Sequence, residues 1–209
     1  MSVMLDHLLW AVPDLDAGVA GIAALTGVTP SGGGSHPGFG TRNALLSLGP
    51  DVYLEVIAPD PAQAGPAAGA LAAGIAARRA PGLMSFAVAV PSIASAAASV
   101  AAAGLATDGP VAMTRRRADG VELAWSVLFA QGPLGPVQPF FIDWHASPHP
   151  ARTAPGGCRL ARFVVLHPDP PAVRAQFAPQ GITVEVAGAS TPGFLAELIT
   201  PRGTVWLTG

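Results

Sequence analysis

The feature that most limits how this chain can fold is a strand pattern that ends in proline and recurs. Leu8-Leu-Trp-Ala-Val-Pro13 lies over Phe86-Ala-Val-Ala-Val-Pro91, an offset of 78 residues (91 − 13). A third run, Arg162-Phe-Val-Val-Leu-His167-Pro168, follows at 155 residues (168 − 13). Alternation puts Leu8, Trp10 and Val12 on one face of the first strand and His7, Leu9 and Ala11 on the other, because successive side chains of a strand point to opposite sides. After each proline comes an amphipathic run that an Asp or Ser can cap: Asp14 or Asp16, then Ser92, then Asp169. Short strands follow each helix. They are divided by Gly49-Pro-Asp51 in the first copy, by the hairpin signal Asp119-Gly120 in the second and by Pro201-Arg-Gly203 in the third.

The expectation is therefore an α+β fold built from repeated βαβββ modules at residues 1–58 and 82–145, with curled mixed sheets forming a cup. A linker at 59–81 carries an alanine-rich helix, and residues 158–209 form an abbreviated third module without a full second pocket. Half of the residues are hydrophobic, enough for a substantial core. Only 11% are charged, the formal charge is −2 and all 11 basic residues are arginine, which gives no electrostatic reason to expect nucleic acid or an anionic membrane as partner. The alanine-rich stretches are too short and interrupted to span a bilayer, and the N-terminus lacks the basic-then-apolar order of a signal peptide; a cytoplasmic location is expected. Cys158 is the single cysteine, so no internal disulfide or thiolate cluster is available. Gly32-Gly-Gly34 leads into Ser35-His-Pro37 with neither helix nor lysine, and no nucleotide cofactor is expected.

Two polar residues interrupt apolar strands, His7 in Leu5-Asp-His-Leu-Leu-Trp10 and Glu55 in Tyr53-Leu-Glu-Val-Ile57. Buried there, each needs a partner. On one concave surface they would offer a nitrogen and an oxygen to a divalent ion, with Asp143 and His145 of Phe140-Phe-Ile-Asp-Trp-His145 as the remaining ligands. Equally, His7 is a hydrogen-bonded core histidine and Glu55 the partner of an arginine. Thr41 and Asn43 share a face near His36; Arg115 and Arg117 share another and could hold an anionic group through paired hydrogen bonds.

His7 in a strand ended by Val12-Pro13, Gly38-Phe-Gly-Thr-Arg-Asn43, Glu55 in its strand, and Arg117-Ala-Asp-Gly120 followed by Leu123 and Trp125 together resemble the glyoxalase-like domain of the vicinal oxygen chelate superfamily. The resemblance covers nearly the whole chain. It implies paired modules forming a cup, often with a divalent metal (Fe, Mn, Ni or Zn) held by first and last strands. His7 and Glu55 match two of the usual ligand positions; Ser85 departs from the third, and Asp143 matches the fourth approximately. The expected function is a metal-dependent lyase, isomerase or dioxygenase acting on a small oxygenated molecule, with Glu55 as ligand or base. The alternative is a non-catalytic sequestering protein whose cup, lined by Trp125, Trp144 and Phe141, takes a small molecule without metal. A homodimer is the assembly the resemblance allows.

Overall fold

The structure, a computed structural model, describes residues 3–63, 69–116 and 120–209. Arg117 and Asp119 lie outside the described residues. The first module runs β1 (Met4–Ala11), α1 (Leu15–Thr26), β2 (Ser35–His36), β3 (Thr41–Gly49) and β4 (Val52–Pro59). Helix α2 (Ala70–Ala76) follows in the linker. The second module runs β5 (Gly82–Ala89), α3 (Ile93–Ala102), β6 (Ala106–Arg116), β7 (Glu122–Gln131) and β8 (Phe140–Asp143). The C-terminal segment contains β9 (Arg159–His167), α4 (Pro170–Phe177), β10 (Glu185–Gly188), β11 (Gly193–Thr200) and β12 (Gly203–Thr208). Caps fix three of the helices: Asp14 accepts from Ala17 N, Ser92 from Ser95 N and Asp169 from Ala172 N.

Both modules close in the same way. In each the last strand returns to pair in parallel with the first, giving the eight-stranded order β2-β3-β4-β1-β5-β8-β7-β6. The modules join through antiparallel β1 and β5, where Leu8 faces Phe86, His7 faces Ala87 and Leu9 faces Ser85. Since 86 is 8 + 78, the Leu8–Phe86 pair lies on a local two-fold axis that relates the copies, and the sheet curls around one hollow.

The C-terminal segment keeps the element order but not the pairing. Its strand after the helix, β10, lies parallel to β9, and β11 takes the other side of β9, giving β10-β9-β11-β12. This second sheet covers the convex face of the first. Phe163, Phe177 and Phe194 surround Phe86 with ring centroids 5.1, 6.3 and 5.9 Å away. Leu8, Leu46, Leu54, Val88, Leu128 and Phe141 extend the same core. Burying each such side chain stabilises the fold by about 1.5–3 kcal/mol, so the third segment holds the paired modules together from outside and leaves the concave face free for chemistry. Among the described residues no helix is long and apolar enough to cross a membrane.

Candidate active site in the cup

Strand alternation divides the sheet. The concave side receives His7 and Leu9 from β1, Thr41, Asn43 and Leu45 from β3, Tyr53, Glu55 and Ile57 from β4, Met113 and Arg115 from β6, Trp125, Val127 and Phe129 from β7, and Phe140 and Ile142 from β8, with Trp144 just after it. They enclose a cavity of about 80 Å³, with Leu71 of α2 on its wall.

One irregularity in β1 determines its polar end. Between Leu5 and His7 the register with β5 slips by a residue, so Asp6 is an extra, unpaired position. Such a bulge re-aims its side chains. Asp6 therefore lies beside His7 instead of across the strand from it, and accepts a 2.6 Å hydrogen bond from His7 Nδ1. The other Asp6 oxygen accepts from Trp144 Nε1 at 2.9 Å and from His149 Nε2 at 3.0 Å, so this wholly buried carboxylate is well satisfied. His7 stacks on Tyr53 at 4.5 Å between centroids and receives the edge of Phe140. Its Nε2 points toward Glu55 Oε2 at 3.5 Å.

Glu55 Oε1 accepts from Asn43 Nδ2 at 2.5 Å. The same amide group reaches His36 Nε2 at 3.1 Å, and His36 Nδ1 lies 2.9 Å from Thr41 Oγ1. These contacts assign His36 the tautomer with its proton on Nδ1. The ionisations follow from the partners. Burial would lower the His7 pKa, but hydrogen bonds to Asp6 and Glu55 and their charge raise it to about 9. Burial would raise Asp6, yet hydrogen bonds from His149 and His7 bring it to about 2. Burial would likewise raise Glu55, which the His7 hydrogen bond and charge, His36 and Asn43 hold at about 2. His36, desolvated, is shifted down. At neutral pH the site is carboxylate, imidazolium, carboxylate in a row, beside a neutral histidine.

Thr41, Asn43, Trp125 and Trp144 line the cavity with His7 and Glu55. Asp143 and His145 do not join them. In β8 the residues facing the hollow are Phe140 and Ile142, so Asp143 points to the convex side. There it accepts from Ile93 N at the start of α3 (3.1 Å) and from His145 N (2.8 Å). His145, at the positive φ of 51°, bonds Ser126 Oγ through Nε2 at 3.0 Å. Phe141 is likewise core, and Phe140 is its cavity-facing neighbour. The residues that sequence reasoning passed over as site groups are Asp6, Tyr53 and His149. Arg115 lines the cavity, whereas Arg117 is outside the described residues.

The pairing also decides which positions correspond to the ligand set of the resembling superfamily. The two-fold axis carries His7 onto Ser85, and the pair Leu9–Glu55 onto Ala87–Phe140. The counterpart of Glu55 is thus Phe140, not Asp143. An imidazole and a carboxylate on one side meet a half-buried serine and a phenyl ring on the other. Among the described residues no group of three or more His, Cys, Asp or Glu side chains is arranged to hold a metal ion. A divalent ion held by first and last strands does not fit this donor set.

The profile of the glyoxalase-like domain family matches residues 5–181. No protein of curated function matches the sequence significantly. Among solved structures, a hypothetical protein from Staphylococcus aureus is similar over 100% of this chain and 85% of its own, with a TM-score of 0.66 at 14% identity. Methylmalonyl-CoA epimerase from Mycobacterium tuberculosis is similar over 68% of this chain and 88% of its own, with a TM-score of 0.51 at 21% identity. The Streptomyces coelicolor methylmalonyl-CoA epimerase in complex with 2-nitronate-propionyl-CoA is similar over 69% of this chain and 100% of its own, with a TM-score of 0.52 at 20% identity.

Proposed function

We propose, from the premise that this chain belongs to the glyoxalase-like domain family of the vicinal oxygen chelate superfamily, that it is an isomerase or lyase moving a proton next to a carbonyl group without a metal. The observation that carries this reading is the gap of 3.5 Å between His7 Nε2 and Glu55 Oε2, both facing one hollow. That spacing is longer than a strong charge-assisted hydrogen bond and lets a substrate oxygen take the imidazolium proton as partner. His7, anchored by Asp6, would polarise the carbonyl, and Glu55 would accept the proton from the adjacent carbon.

The C–H bond breaks, its proton passes to Glu55, and the electron pair moves onto the carbonyl oxygen, where His7 stabilises the negative charge. Return of the proton to the same carbon after the enolate has turned its other face to Glu55, or to a neighbouring atom, completes an isomerisation; loss of a leaving group from the enolate completes a lyase reaction. Glu55 is a weak base while His7 bonds it. When substrate draws that N–H away, the stabilisation falls and its basicity rises where it is needed.

Epimerases are among the proteins of similar fold, which makes exchange at the carbon beside a carbonyl the chemistry to test first. In D₂O, NMR should detect deuterium incorporation into a panel of 2-oxobutyrate, phenylpyruvate and acetoacetate and their methyl esters above the uncatalysed rate. Glu55→Gln and His7→Asn should lower that rate by about 10²–10⁴-fold. Absence of enzyme-dependent exchange across the panel overturns the reading. Ligand binding without exchange would support the sequestering alternative, which is favoured by the aromatic remainder of the cavity (Trp125, Phe129, Phe140, Trp144).

A further inference from the structure

Among the described residues, Arg115 brings to the cup a permanent positive charge that the proton-transfer step does not use. Arg115 comes from the edge strand β6, across the open seam of the sheet from β2, and lines the same cavity as His7 and Glu55. An arginine at an inward-facing strand position carries a desolvation cost, and the surroundings are shaped to hold it there. Asn43 Oδ1 accepts from Arg115 Nη1 at 3.2 Å and from Gly34 N at 2.9 Å. The glycine run, which fits no nucleotide-binding pattern, has a packing role instead. A Cβ on Gly34 would lie 3.0 Å from Arg115 Cδ, and one on Gly33 would lie 1.9 Å from the Asn43 carbonyl oxygen. Any side chain at these two positions would displace the arginine stem or the asparagine that orients it.

Through its amide, Asn43 links Arg115 on one side to Glu55 on the other. The guanidinium and the base are thus one asparagine side chain apart. We propose that Arg115 receives a carboxylate of the substrate, so that the cup takes a small 2-oxo or 3-oxo acid with an apolar or aromatic body and its carbonyl oxygen toward His7. The proposal rests on the reading of the cup as a carbonyl site and names the substrate class. A phosphate dianion would bring two negative charges close to the Asp6 and Glu55 carboxylates and a carboxylate brings one, which favours the carboxylate. The rest of the wall, from Met113 and Trp125 to Phe129 and Phe140, offers only apolar contact to the body of the ligand.

The test compares 2-oxobutyrate, phenylpyruvate and acetoacetate with their methyl esters by calorimetry and tryptophan fluorescence. At least one acid should bind about tenfold or more tightly than its ester. Arg115→Met should remove that preference and leave ester affinity within about threefold, while Arg115→Lys should retain part of it. Gly34→Val should weaken the acid and spare the ester. Equal affinity for acids and esters, no binding by any acid, or equal losses for acid and ester in folded Arg115→Met would overturn the inference. Exchange kinetics separate it from the catalytic reading. An Arg115-dependent acid preference without exchange leaves the inference standing and sinks the catalysis; exchange of acids and esters alike does the reverse.

Discussion

The two modules share one topology and one axis, and they have opposite chemistry. The wall from β1 to β4 contributes His7, Glu55, Asn43 and Thr41, with His36 and the buried Asp6 behind them. The wall from β5 to β8 contributes Trp125, Val127, Phe129, Phe140 and Ile142, with Arg115 at its edge. Ser85 and Phe140 occupy the positions that would make the second wall a copy of the first. A symmetric cup holds an ion at its centre from both sides. This one has its titrating groups on one wall and, apart from Arg115 at the edge, an apolar surface on the other, the arrangement suited to an organic molecule with a polar end and an apolar body.

The shifted titrating groups His7, Glu55 and Asp6 belong to the first wall, and so does the pH dependence of stability that they contribute. The folded pKa of His7, about 9, lies above its ordinary value of 6.5. Its contribution is therefore complete below about pH 6.5 and disappears as pH climbs through about 9. Asp6 and Glu55 are held at about 2, below ordinary values of 3.8 and 4.5, so their contributions are complete above about pH 4.5 and disappear as pH falls toward 2. Urea unfolding should show a maximum between about pH 4.5 and 6.5. The alkaline limb should amount to about 3 kcal/mol at roughly 1.4 kcal/mol per pKa unit. His7→Gln should flatten that limb. Val127→Ala, on the opposite wall, should lower the whole curve and keep its shape; a change of shape would mean that the walls do not divide the titrating groups as described.

A second experiment removes the asymmetry. Ser85→His combined with Phe140→Glu supplies an imidazole and a carboxylate opposite His7 and Glu55, completing a four-group donor set across the axis. In thermal scans with Zn²⁺ or Mn²⁺ at about 100 times its dissociation constant, the double variant should gain about 2–3 kcal/mol, and the natural chain should gain none. Equal stabilisation of both proteins, with stoichiometric metal in the natural chain, would show that its first wall suffices as a metal centre.

Much of the fold and the site is legible in the sequence, and the parts that are not share a cause. The recurring strand, the capping residues Asp14, Ser92 and Asp169 and the polar interruptions at His7 and Glu55 are local signals, visible in the letters. The bulge at Asp6 is not, because an unpaired residue depends on how β5 aligns against β1. The four residues of β8 begin with two phenylalanines, so hydrophobicity could not set their parity, and a shift of one residue exchanges Asp143 for Phe140 and Ile142. Arg115 and Arg117 share a face, and alternation had no means to choose between them. The pairing of β10, β9 and β11 escaped for the same reason, since element order does not determine which side of β9 a strand joins.

Asp143 offers the smallest effect and a direct check on that parity. Its carboxylate accepts from Ile93 N at the first residue of α3 and from His145 N, which makes it a structural cap on the convex side, away from the hollow. Asp143→Ala should cost about 0.5–2 kcal/mol in urea unfolding, the range for losing a helix-terminal acceptor. His145, whose left-handed φ of 51° is held in part by that bond, should become more exposed to chemical modification. Exchange rates and the preference for acids over esters should not change, because none of the groups that line the cavity loses a partner. A fall in exchange comparable to that of Glu55→Gln, in a variant that remains folded, would place Asp143 among the reacting groups and break the division of the sheet into a working face and a supporting one.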